Sequence, residues 1–361
     1  MTRGSLSLAT ALAAVVLGCA AGDSTDESSS SGGLVFVRAV NGSADVVRAR
    51  LADGAERPVT ATPDRPERWP YWSDSARRLV FQVGDAEDRN ASDLVLFDPQ
   101  SERESALVTT PQRVERWPGW SPNGRFVVYA FRGGTPASGV ALADWQQDTL
   151  SLVARSGVRD YYLRPSFSPE GLRLVAQRRS EAAGSSNLWI LTAGAEPRPL
   201  TTDAAWVDIK PRFDRSGARI VYTRRRPGHR SHDVMSIDAS GGEPRAVLAT
   251  DANEHSARPS PLRDEVVLIS DRDGSEDVFL IDEDGGEPRN LRRTPEWNEL
   301  APRWSPNGER VVVTAVPREI GRFGSLSGEV LPLARVRVLD RNGNVLLDVS
   351  GAMPDWMPPW P

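Results

Sequence analysis

Few residues in this sequence are equipped to do chemistry. Histidine is the commonest transition-metal ligand and the usual proton shuttle near neutral pH. It occurs only at His229, His232 and His255. His229 and His232 share the stretch Pro227-Gly228-His229-Arg230-Ser231-His232-Asp233. Its arginines would repel a cation, so a solvated loop is expected. Asp271-Arg272-Asp273-Gly274-Ser275-Glu276-Asp277 spaces oxygen donors around a glycine as calcium loops do. It lacks the flanking helices and terminal bidentate glutamate of such a loop, and reads as an exposed hairpin. Arg224-Arg225-Arg226 has no interleaved aromatics on which bases could stack, so it too is expected in solvent, with no nucleic-acid partner. The G-x-S-x-G nucleophile elbow is missing, and no cofactor motif is found.

The one cysteine has a different use. Cys19 closes Val16-Leu17-Gly18-Cys19, after an apolar run from Leu6 to Leu17 and a positive Arg3. The arrangement resembles a bacterial lipobox, in which a small residue precedes the cleaved bond and the thiol accepts a diacylglycerol. The apolar run is too short to span a bilayer, whereas two or more acyl chains anchor stably. Residues 1–18 are expected to be a lipoprotein signal peptide. Residues 19–33, with the polar run DSTDESSSSGG, should be the lipidated cysteine and a flexible linker. Ala20 rather than aspartate after the cysteine favours, by resemblance to proteobacterial lipoproteins, the outer membrane facing the periplasm.

From Leu34 to Pro361 the chain repeats itself. Proline, any residue, then usually an aromatic recurs as Pro70-Tyr71-Trp72, Pro118-Gly119-Trp120, Pro165-Ser166-Phe167, Pro211-Arg212-Phe213, Pro302-Arg303-Trp304 and Pro354-Asp355-Trp356, with a degenerate Pro259-Ser260-Pro261. The prolines lie 43 to 52 residues apart, the length of a four-stranded blade. Ser-Pro-Asn-Gly turns follow several anchors and lead into strands such as Phe126-Val127-Val128-Tyr129. Leu34-Val35-Phe36-Val37 begins a copy with no anchor, and Trp356 ends the series as an anchor with no strands, so the two should complete one blade. The predicted fold is all-β: a seven-bladed β-propeller over residues 34–361, with six blades as the alternative.

The anchors, the Asp284-Gly285-Gly286 type of hairpin and the split first blade resemble TolB-type β-propellers, and the likeness spans essentially residues 34 to 361. TolB itself resembles a six-bladed ring preceded by a small α/β domain, for which this sequence has no room. The related prolyl-oligopeptidase architecture places its catalysis in an appended α/β-hydrolase domain.

Within the repeat, Trp72, Trp120, Trp304 and Trp356 occupy one position and should pack between blades. The residue before the anchor proline varies as Trp69, Trp117, Arg164, Lys210 and Arg258, so the shared fold does not dictate it. Two places earlier stand Glu67, Glu115, Tyr162, Asp208, Ser256 and Glu299. These positions predict a channel mouth that is acidic at Glu67, Glu115, Asp208 and Glu299, with arginine, Lys210 and tryptophan below it. The alternative is blade-to-blade ion pairs with no ligand. The expected function is a monomeric, non-catalytic protein-interaction scaffold in the cell envelope. It would be tied to the membrane by lipid and bind a protein or peptide partner. A small-molecule or glycan-binding lipoprotein, or a hydrolase or lyase built on the propeller, is the other reading.

Overall fold

The structure is a computed structural model that describes residues 32–40, 43–63, 65–84, 91–111, 113–192, 194–320 and 330–358. Cys19 and the signal and linker segments lie outside the described residues. Among the described residues, apart from two short 3-10 turns, Arg318–Ile320 and Leu331–Leu333, the regular elements are all strands.

The strands pair as seven antiparallel units of four. Unit 1 joins Ala352–Met357 to Gly33–Val40, then Ser43–Arg50 and Glu56–Pro58. Units 2 to 7 are sequential meanders. They begin with Glu67–Ser73, Val114–Trp120, Asp160–Phe167, Val207–Phe213, Glu254–Pro259 and Trp297–Trp304 respectively. Single parallel bridges, Ser92 to Val114 and Ser186 to Val207, link units 2 with 3 and 4 with 5. Apolar clusters lie between all consecutive units. A further cluster sets Val312, Val336 and Val338 of unit 7 against Leu34, Phe36 and Trp356 of unit 1. Both faces of each middle strand are therefore covered, which explains unbroken apolar runs such as Phe126 to Phe131 in place of alternation.

The first strand of every unit carries the same irregularity. In unit 2, Arg68 pairs with Gln82 and Tyr71 with Val80, so Trp69 and Pro70 together oppose one residue. This is a β-bulge, and a proline fits there because the position needs no ladder donor. The bulge residue is left-handed in all seven units: Trp69, Trp117, Arg164, Lys210, Ser256, Ala301 and Met353 have φ of 51 to 57°. The sixth repeat is thereby corrected. Its left-handed residue is Ser256, so Ala257 occupies the anchor position and Glu254 the acidic one. Arg258 is equivalent to Arg212 and Arg303. The Pro259-Ser260-Pro261 triplet resembles an anchor but lies two residues beyond it.

The recurring tryptophans pack between units, as expected. Trp120, Trp304 and Trp356 also donate their indole N–H to the carbonyls of Tyr71, Arg258 and Arg303 in the preceding unit, at 3.0, 3.0 and 3.2 Å. Trp72 departs, donating to Asp74 instead. The turn after the anchor is held by side chains. In Ser121-Pro122-Asn123-Gly124, Ser121 Oγ donates to Asn123 Oδ1 and accepts from the Phe126 N–H, and Ser305-Pro306-Asn307-Gly308 repeats the pattern. Gly124 has φ of 69°, and a Cβ there would lie 2.4 Å from the Ala76 nitrogen of unit 2.

Two substitutions read this architecture. Gly124→Ala should lower the unfolding free energy by about 2–4 kcal/mol, through backbone strain and a clash with unit 2. Ala301→Gly relieves a left-handed alanine and should be neutral or stabilising by up to about 1 kcal/mol. Denaturant unfolding measures both.

Candidate functional site

The acidic positions are not at a mouth. Glu67, Glu115, Asp208, Glu254 and Glu299 are all 0 % exposed. Two of them tie a first strand to the preceding unit. Glu67 accepts hydrogen bonds from Thr60, Thr62 and the Val46 N–H of unit 1. Glu299 accepts from the Val278 N–H of unit 6 at 3.3 Å and lies 3.9 Å from Arg337. Asp208 instead pairs within its own unit, bidentate with Arg224 at 2.7 and 2.9 Å. The expected acidic funnel mouth is thus corrected to buried carboxylates, two of which act as struts between units. The reason is geometric: two residues before the bulge, these side chains are buried in the protein and do not line the cavity. Burial pushes Glu67, Glu115 and Glu299 each up to about 7.

Past the bulge, the side chains reach a central void. One cavity of about 540 Å³ is lined from the first strands of units 2, 4, 5, 6 and 7. It shares Arg164 with two further voids, of about 960 and 360 Å³, and Trp117 borders both of those. Of the sequence-predicted residues, Trp69, Trp117, Arg164, Lys210 and Arg258 therefore surround this space, whereas Glu67, Glu115, Asp208 and Glu299 do not. Sequence reasoning missed Tyr71, Arg212 and Arg303, which line the void with Arg258 from two places after the bulge. The available signal was the varying middle residue of each Pro-x-aromatic anchor.

The void is strongly cationic on one side. Arg164, Lys210, Arg212, Arg258 and Arg303 enter from units 4 to 7, facing Trp69, Tyr71 and Trp117 of units 2 and 3. Arg303 lies over the Tyr71 ring at 4.5 Å and pairs with Asp355 at 3.2 Å. Among the described residues the other four cations have no carboxylate within ion-pair distance. Arg164 lies 5.7 Å from the Trp117 ring, and Lys210 Nζ donates to Ser256 Oγ at 2.9 Å. Burial, followed by Arg164 and Arg258, brings Lys210 down to about 7. Burial brings Arg212 down to about 10 and holds Arg258 well below its ordinary value.

The histidines stand beside this cluster. His229, His232 and His255 all border the void, and the rings of His232 and His255 meet edge-on at 6.3 Å. His255 Nδ1 is 2.9 Å from Ser256 Oγ, and Nε2 is 3.2 Å from Glu276 Oε1. Two sequence expectations are corrected here. Arg224 is buried against Asp208 and not solvated. Ser275, Glu276 and Asp277, expected in an exposed hairpin, are buried, and Asp277 caps the Thr294 N–H and hydroxyl. Among the described residues no group of three or more His, Cys, Asp or Glu side chains could hold a metal.

The buried charges give opposite pH signatures. Raised folded-state carboxylates bind extra protons between about pH 4.5 and 7, so their contribution to stability is lost as pH rises through 7. Glu115→Gln should therefore raise the unfolding free energy at pH 8 by on the order of 1–3 kcal/mol, and change little at pH 4.5. For Lys210 the unfolded chain binds the extra proton between about pH 7 and 10.5, so the penalty is full below 7. Lys210→Met should stabilise by on the order of 2 kcal/mol at pH 6, with the gain fading towards pH 10. Thermal melts across this range check both.

The comparisons with known proteins agree with this architecture. A family model described as the TolB beta propeller domain matches residues 140–327, more than half of the chain. No curated protein matches in sequence. Among solved structures, TolB from Acinetobacter baumannii is similar with a TM-score of 0.53 and 14% identity, over 90% of this chain and 66% of that one. A prolyl endopeptidase is similar at 0.66 and 10%, over 92% and 51%. An oligogalacturonate lyase in complex with manganese is similar at 0.62 and 12%, over 78% and 82%. The chain thus spans just under two thirds of the TolB chain and about half of the endopeptidase. Built from repeated four-stranded units and matched over residues 140–327, this chain belongs to the TolB β-propeller domain family.

Proposed function

We propose that the chain is a lipid-anchored, non-catalytic interaction scaffold of the cell envelope, which receives a segment of a protein partner in its central cavity. In this reading the seven units are the blades of one closed ring. The pairing of Gly33–Val40 with Ala352–Met357 and the apolar seam between units 7 and 1 support closure. The observation that carries the function is the shared void, walled by tryptophan, tyrosine and arginine, residue types enriched at binding hot spots. Cys19 would carry the lipid and set the protein on the periplasmic face of the outer membrane as a monomer.

A second reading rests on one cluster. Ser256 Oγ, His255 and Glu276 form a hydrogen-bonded line beside Lys210, within the void. In hydrolysis, Ser256 Oγ would attack a carbonyl carbon and pass its proton to His255 Nδ1, and Glu276 would steady the resulting imidazolium. The leaving group would take that proton, and water would release the acyl group.

A photo-crosslinking residue in place of Trp69, in the full chain expressed in its host, should capture a discrete envelope protein. Absence of any adduct from the cavity, with adducts from an exposed control site, would remove the scaffold reading. Palmitate labelling lost in Cys19→Ala checks the anchor. Fluorophosphonate labelling that disappears in Ser256→Ala would favour the hydrolase.

A further inference from the structure

The charge in the void has a direct bearing on what enters it. Five cations converge from four consecutive units, whereas the one described carboxylate lining the same cavity is Glu276, in contact with His255, and Asp355, outside that lining, engages Arg303. Crowding guanidinium groups in a confined, poorly solvated space is unfavourable unless an anion joins them. The fold does not demand it. At the bulge position other units carry Ser256, Ala301 and Met353, and two places later they carry Gly119 and Ser166. Folding can therefore proceed with small or neutral residues at these places, yet four arginines and the only lysine of the sequence occupy them.

We infer that the central cavity is a carboxylate-binding channel whose ligand is an extended, acidic peptide segment. The inference deepens the scaffold reading and rests on it. Three features select this ligand. Guanidinium groups engage carboxylates with paired N–H donors, and arginine keeps its charge where lysine loses it. Arg164, Arg212, Arg258 and Arg303 line linked voids, so successive acidic side chains of an extended strand meet successive cations. The opposing wall of Trp69, Tyr71 and Trp117 offers apolar area to the stems and backbone of such a segment. Lys210 gives the site a pH dependence. Protonated below about 7, it adds a positive charge beside Arg164, Arg258 and Arg212 that exceeds the opposing charge of Glu276 and adds to that of His232, so an anionic segment binds more tightly at pH 6 than at pH 8.

The test uses the full chain in detergent with three probes: a fluorescent ten-residue peptide alternating glutamate and serine, its glutamine counterpart, and oligogalacturonate. Fluorescence anisotropy should show binding of the acidic peptide, weakening with salt, and none of the glutamine peptide. Arg212→Gln combined with Arg258→Gln should weaken binding at least tenfold, and Arg245→Gln, on an exposed outer strand, should leave it unchanged. Lys210→Met, expected to be more stable than the parent, should shrink the difference between pH 6 and pH 8, leaving only what His232 contributes, and reads the site even if the double variant fails to fold. As the only lysine, Lys210 also reports occupancy: the acidic peptide should protect it from an amine-acylating reagent. Equal binding of the glutamine peptide, or wild-type affinity in the double variant, would overturn the inference. Tighter binding of oligogalacturonate than of the peptide would reassign the ligand to a polyanionic sugar and overturn the peptide. If the Trp69 crosslinker captures an envelope protein through a segment lacking acidic residues, this inference fails while the scaffold reading stands. If no adduct forms, the scaffold reading itself fails.

Discussion

A single backbone event, one left-handed residue inside an otherwise extended strand, organises the molecule. Each first strand bulges at that residue, and the bulge separates two environments. Before it, side chains are driven between units, where Glu67 and Glu299 hold backbone N–H groups of their neighbours. From it onward, side chains at alternate places reach the common void. A left-handed non-glycine residue costs on the order of 1 kcal/mol, and seven such residues persist because the packing on either side leaves no other path. Strain of this kind often signals a functional site, but its presence in every unit makes it architectural here. Function is written in the choice of side chain, not in the backbone.

The two environments handle charge in contrary ways. Between units, carboxylates are buried beside hydroxyl and amide donors, and burial raises their proton affinity until they are half-neutral near pH 7. In the void, arginines cannot take that escape and remain charged at neutral pH, whereas Lys210 is brought down to about 7 beside the imidazole of His232. The walls can therefore relax by binding protons, while the cavity relaxes only by binding an anion or admitting water.

Much of this was legible in the sequence. The spacing of prolines and aromatics predicted the repeated units, and the incomplete first and last copies predicted the pairing that joins Gly33–Val40 to Ala352–Met357. The prediction of tryptophans between units holds for the same physical reason: a large apolar ring with one donor fits a seam that also presents a carbonyl. The sixth unit misled because Pro259-Ser260-Pro261 imitates an anchor, while the true position holds Ala257. Proline is favoured at the bulge but not required, since the position needs no ladder donor and tolerates one, as at Ala257. The acidic residues misled because sequence records their alternation, not the direction in which a bulge turns them. The line of Ser256, His255 and Glu276 was hidden for another reason. Glu276 comes from a loop twenty residues away, and nothing local announces that meeting.

The strand pairing of unit 1 sets it apart. Most units close on themselves within about fifty residues, but Gly33 pairs with Met357 across nearly the whole chain. The entropy of closing such a span grows only with the logarithm of its length, adding about 2 kcal/mol over a local meander. The last seam is therefore inexpensive to keep yet easier to open than the rest, since no peptide bond crosses it. Parting this pairing would loosen Ala352–Met357, the strand that brings Asp355 to Arg303. The charge balance at the edge of the cavity is thus held by the one strand pair that the chain itself does not bridge.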